Sequence, residues 1–221
     1  MKLLMEALLK FACGLLLVGL LIFLPAGTLS YTYGWLLIGL LFAPMLIAGF
    51  VMLAKSPDFL AKRLDVKEKQ GAQKGVVALS GLMFIAGFVV AGLDFRFGWS
   101  TVPTGVVITA SVLFLAAYAL YAEVMRENAF LSRTVKVEEG QTVVDTGLYG
   151  VVRHPMYAVT ILLFLMIPLV LGSWYALIVF AFYPAIIIVR LKDEEELLTK
   201  ELAGYVEYKK KVKYRIIPFV W

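Results

Sequence analysis

The chain has 221 residues, 62% hydrophobic and 17% charged, and a mean hydropathy of +0.88; a water-soluble globule, roughly half apolar and about a quarter charged, is excluded. The formal net charge is +5, and no aromatic-interleaved basic run points to nucleic acid. The single Cys13 rules out an internal disulfide, and the single His154 rules out a metal site built on paired histidines.

Apolar segments lie near 9–30, 35–54, 76–93, 101–122, 157–171 and 174–189. No charged residue occurs in the 44 positions between Lys10 and Lys55, or in the 36 between Arg153 and Arg190. A helical crossing of a bilayer takes about 20 residues, so each of those stretches can cross twice. Strand-like alternation is missing and backbone groups in lipid must be satisfied internally, so the spans are predicted to be helices. The first is not read as a cleaved leader: Pro25-Ala26-Gly27 has no A-x-A-like site, and a second span follows almost at once. Gly14, Gly19, Gly81 and Gly87 are expected at helix-packing positions, Asp94 and Arg96 as an interfacial pair, and Trp35, Trp99 and Trp174 as headgroup anchors. Pro168 and Gly172-Ser173 make 157–189 a helical hairpin with its turn near one membrane face. The fold class is therefore all-α, a polytopic transmembrane helix bundle of about five to six spans. Residues 1–122 form four N-terminal spans, residues 123–221 carry the hairpin and a polar tail, and the two parts make one membrane domain.

Charge orients the bundle. The links 55–75, 123–153 and 190–221 carry six, four and eight Lys or Arg, whereas 31–34, 94–100 and 172–173 hold only Arg96. The positive-inside rule predicts that the basic links and both termini face the cytoplasm, across the inner membrane if the source is bacterial.

Polar residues with chemical potential gather in the second half. The run Gln141–Tyr157 (QTVVDTGLYGVVRHPMY) has turn glycines, two tyrosines and the only histidine. Pro155 suits the first turn of a helix, which sets His154 at that helix's N-terminus, and Tyr157 follows three residues on along the same side. The same run also fits an interfacial cap with Arg153 on a lipid phosphate. Beyond the hairpin, Arg190 and Glu194 stand four apart on one helical face, able to pair or to divide the ends of a zwitterionic ligand; a solvated helix exit is the alternative. The tail from Gly204 to Phe219 reads by itself as a basic amphipathic segment at the membrane surface.

The ordered set GLYxxVRHPMY, a hairpin of about thirty residues, RxxxEExxL, YxxYxxxV and RIIP resembles the isoprenylcysteine carboxyl methyltransferase family of integral membrane enzymes over 141–218. The resemblance implies an S-adenosylmethionine site formed by the hairpin and the cytoplasmic segments, in place of a soluble βαβ cradle. Cofactor contacts are implied at Gln141, Thr142, Val143, Val144, Tyr149, His154, Pro155, Met156, Tyr157 and Glu194. Arg190 is implied as the catalytic, acceptor-orienting residue, with Arg153 a further candidate for the acceptor. The spacing between Glu195 and Tyr205 is one residue shorter than the family's usual form. The expected activity is methyl transfer to a lipophilic or small acceptor from the bilayer, such as an isoprenylated cysteine carboxylate or a phospholipid amine or thiol; no metal is expected. Alternatives are an NADPH-dependent reductase of the sterol type and a non-enzymatic lipid-binding membrane protein.

Overall fold

The computed structural model describes residues 2–64, 71–131, 137 and 139–221, with the side chains of 71 and 72 left out. Residues 65–70, within the basic link 55–75, and 132–136 and 138, within the link 123–153, lie outside the described residues. Helices run over Lys2–Ala26 (α1), Thr32–Lys55 (α2), Pro57–Leu64 (α3), Gly71–Phe97 (α4), Thr104–Glu127 (α5), Pro155–Val170 (α6), Trp174–Phe180 (α7), Tyr183–Glu201 (α8) and Tyr205–Lys211 (α9). Five stretches are long and apolar enough to cross a membrane: α1, α2, most of α4, α5, and Trp174–Glu201, which joins α7 to α8. The apolar α6 has 16 residues, about 24 Å at roughly 1.5 Å per residue, so it reaches almost across the hydrocarbon layer. The protein is a polytopic helical membrane bundle, with Leu16, Leu20, Ile47, Leu82 and Ile108 among its exposed apolar side chains.

The hairpin forms as the sequence predicts, with its turn at Leu171–Ser173. Gly172 adopts φ +73, and a Cβ there would meet the Tyr33 ring. Ser173 Oγ accepts the Ala176 N–H at 3.0 Å and starts α7. The second arm differs from the expected continuous 174–189. It breaks at Ala181-Phe182, because Pro184 in the first turn of α8 has no N–H and its ring excludes a carbonyl one turn earlier. The helix then runs on to Glu201, twelve residues past the expected end, and carries the site's charged residues outward.

One apolar core joins α1, α2, α4, α5, α6, α7 and α8. Phe84, partly buried, packs against it, edge-on to Phe164 and Phe180. Gly87 lets Phe180 approach α4, and Gly92 lets α4 approach α1, where a Cβ would lie 2.5 Å from the Ile22 carbonyl oxygen. Of the four glycines expected to pack helices, Gly87 does so. Gly19 and Gly81 have open space around them, and Gly14 makes only an ordinary contact with Phe42.

The end of the bundle bearing the hairpin turn is tied by polar contacts. Asp94 is buried and accepts from Ser100 N at 2.7 Å, Ser100 Oγ at 2.6 Å and Ser173 Oγ. Tyr31 Oη donates to the Leu171 carbonyl, and its ring stacks on Phe95. The expected Asp94–Arg96 pair does not form among the described residues. Residues two apart on a helix do not face each other, so Asp94 turns inward to the two serines while the Arg96 guanidinium lies over Phe97 and against Gly27.

Candidate active site

At the opposite end, where the basic links lie, the residues between α5 and α6 fold into a compact turn. Glu127, the last residue of α5, takes the Leu148 N–H at 2.9 Å and occupies the space a side chain on Gly147 (φ +52) would need. This seats a single 3-10 turn over Gly147–Gly150 and buries Tyr149, whose hydroxyl accepts from Asn128 Nδ2 at 3.1 Å. Tyr208 of α9 donates to the Tyr149 carbonyl at 2.7 Å.

Chain entry into α6 is fixed by backbone pairing with the tail: Arg153 N–H donates to Tyr214 O at 2.9 Å and His154 N–H to Arg215 O at 2.8 Å. Pro155 occupies the first turn of α6, where its missing N–H costs nothing. The His154 and Tyr157 rings lie face to face, 5.7 Å between centroids. Tyr157 Oη then donates to Glu194 Oε2 and accepts from Arg190 Nε at 3.1 Å. A phenol from α6 thus bridges the cation and the carboxylate that the sequence places one turn apart on α8.

Glu195, next along α8, faces a different way. It is 4% exposed; its Oε1 accepts from Arg153 Nε at 2.6 Å and lies 3.4 Å from His154 Nε2, while Oε2 accepts from Arg215 Nε at 2.8 Å. Arg153 Nη1 also donates to the carbonyls of Val212 and Lys213. The guanidinium is thereby committed to holding the tail, a different task from the acceptor or lipid-phosphate contact expected of it. Tyr205 Oη stands 3.5 Å from His154 Nε2. Burial first, and then the fields of Glu195 and Glu194, push the Tyr205 phenol far above its ordinary range. Burial does the same for Tyr149 and Tyr208, so all three stay protonated donors.

These elements surround an open cleft with mixed polar and apolar walls. Gln141, Thr142, Val143, Val144, Tyr149, Arg153, His154, Met156, Tyr157, Arg190 and Glu194 all line it; Pro155 is buried at the start of α6 and does not. Sequence reasoning did not assign Asn128, Leu198, Leu202, Tyr205 or Tyr208, which also line it. The i, i+3 tyrosines of α9 were the available signal for two of them; Asn128, at the end of an apolar helix, gave none. Tyr205 and Tyr208 pack with Leu202 and Val212 as a small core of their own beside Val143 and Leu198. Gly204, directly before Tyr205, lies at φ +83, a conformation glycine adopts without penalty.

The fold and cleft define a class: a multi-pass helical membrane protein with a polar cleft at one end of its bundle. Residues 106–200 match the model of the isoprenylcysteine carboxyl methyltransferase (ICMT) family. The match supports a membrane methyltransferase. It starts within α5, earlier than the expected 141–218, and ends before α9 and the tail. The chain is also similar to Delta(14)-sterol reductase TM7SF2 of Mus musculus, 33% identical over 91 residues, which are 40% of this chain and 22% of that protein. The matched stretch therefore spans less than a quarter of that relative. Among the described residues no group of three or more His, Cys, Asp or Glu is placed to hold a metal ion.

Proposed function

We propose that this protein is an S-adenosylmethionine-dependent methyltransferase acting on a lipophilic acceptor from the bilayer, with its basic end toward the cytoplasm. The observation that carries the reading is the Arg190–Tyr157–Glu194 bridge within the cleft. It sets a carboxylate for an ammonium beside a guanidinium for an anion. The donor set fits the cofactor: Glu194 for its amino group, the 141–144 segment and His154 for its polar edges, and Met156, Leu198 and Leu202 as apolar walls for a purine. When bound, S-adenosylmethionine supplies an electrophilic methyl group on a sulfonium.

Arg190 holds the acceptor, a carboxylate in the family's named case, by paired N–H donors and fixes its approach. Tyr157, bonded to both, fixes where Arg190 and Glu194 stand relative to each other. An ionised carboxylate needs no general base, and none is assigned. Tyr149 and Tyr205 close the polar side of the cleft, which limits water around the reacting centre.

The similarity to a sterol reductase favours a second reading, a nicotinamide-dependent reductase on the same architecture. Calorimetric titration of the purified protein separates the two. Binding of S-adenosylhomocysteine with no response to NADPH is expected. NADPH binding without a response to either adenosyl compound would reject the methyltransferase reading. Membranes incubated with methyl-labelled cofactor should yield a labelled lipid-soluble product, whose chemical identification names the acceptor.

A further inference from the structure

A second cleft lies on the other side of Glu195. It is lined by Lys192, Lys200, Lys209 and Arg215 against the carboxylates of Glu195 and Glu196. Lys200 is paired with Glu196 at 2.5 Å, and Glu195 is shared between Arg215 and the buried Arg153. Among the described residues Lys209 reaches only the Thr199 hydroxyl, at 3.3 Å, and Lys192 has no acidic partner. The cleft therefore has more positive charge than its own carboxylates balance. Its cations come from α8, α9 and the tail, so three segments converge on it.

The tail supplies an independent observation. After Arg215 the chain folds back on itself, with the N–H groups of Arg215, Ile216 and Ile217 directed at the Trp221 carbonyl oxygen. The fold-back leaves an apolar tip: Phe219 is 86% exposed, and Ile217 and Val220 are exposed beside it. This tip follows directly on the residues that pair with the start of the apolar helix α6. Apolar side chains next to a cationic cleft match both parts of an anionic lipid.

We propose that this cleft binds the phosphate headgroup of an anionic phospholipid in the leaflet at the basic end, with Lys192, Lys209 and Arg215 around the phosphate and the acyl chains beside Ile217, Phe219 and Val220. The site depends on no property of the proposed reaction, although Glu195 separates it from the candidate active site by a single side chain.

Native mass spectrometry of the full chain, purified in non-ionic detergent and titrated with phosphatidylglycerol, tests it. One retained lipid is expected, with affinity reduced roughly 30-fold in the Lys192→Gln/Lys209→Gln pair and less than about two-fold in a Lys55→Gln/Lys74→Gln control that removes equal charge from other exposed lysines. Equal losses in the two pairs, or no loss in either, would overturn the proposal. Millimolar inorganic phosphate should leave the lipid in place. Its displacement by phosphate would assign the cleft to a free anion and reject the lipid.

Discussion

At the scale of single residues, three neighbours on α8 have three different fates. Arg190 and Glu194 share one face and meet through Tyr157, while Glu195, about 100° further round the helix, is buried against Arg153 and Arg215. Glu194→Ala should weaken S-adenosylhomocysteine binding roughly 10- to 150-fold, the worth of a charge-assisted contact, as read by calorimetry. Arg190→Ala should lower turnover more than cofactor affinity, which a comparison of the two measurements on one preparation resolves. Glu195→Ala should act on stability, because it leaves two guanidiniums and an imidazole without their carboxylate. A loss of about 3–5 kcal/mol is expected from equilibrium unfolding in mixed micelles. A double-mutant cycle with Arg153→Met should return a coupling of at least about 1 kcal/mol. Nothing in the run Asp193-Glu194-Glu195-Glu196 distinguishes these carboxylates by composition. A helical face can be counted from the sequence, but what packs on that face depends on the tail, whose path the sequence does not disclose.

Elements were more legible than their junctions. Long apolar runs must become helices in lipid, so α1, α2, α4, α5 and the hairpin follow from hydropathy alone. The break between α7 and α8 left no compositional trace except Pro184, and α3 hides in a charged link because eight amphipathic residues at a membrane surface look like any polar connection. The small-residue signal was also ambiguous. Glycine frequency marks where helices can approach, yet which glycine faces a neighbour is set by helix rotation, and Gly92, which was not singled out, makes the tightest approach to neighbouring backbone. Gly92→Ala should therefore cost about 1–3 kcal/mol, since the opposing atom is the Ile22 carbonyl and cannot move aside cheaply. Gly81→Ala, with open space around it, should be neutral or slightly stabilising through helix propensity. Thermal unfolding of the two variants side by side checks the contrast.

Over the whole molecule, polar structure is concentrated at the two ends of an oily bundle, with α6 reaching from one to the other. Its first residues carry His154 and Tyr157 into the cleft. Its last lead into the Leu171–Ser173 turn, which Tyr31 and Asp94 hold against the N-terminal helices. The far clamp therefore serves the site by fixing α6 as a rigid post, and the cleft's chemistry does not extend to it. Asp94→Ala removes the acceptor for Ser100 and Ser173 at a buried position, and should lower stability by about 2–4 kcal/mol. S-adenosylhomocysteine affinity of the protein that stays folded should change less than about two-fold, because a rigid helix either keeps its entry geometry or loses it with the bundle. Unfolding midpoint and ligand affinity measured on the same variant check this directly. A large fall in affinity with an unchanged midpoint would mean that the two ends communicate through a bend in α6, and Pro168, inside the helix near its far end, would be the place to look for it.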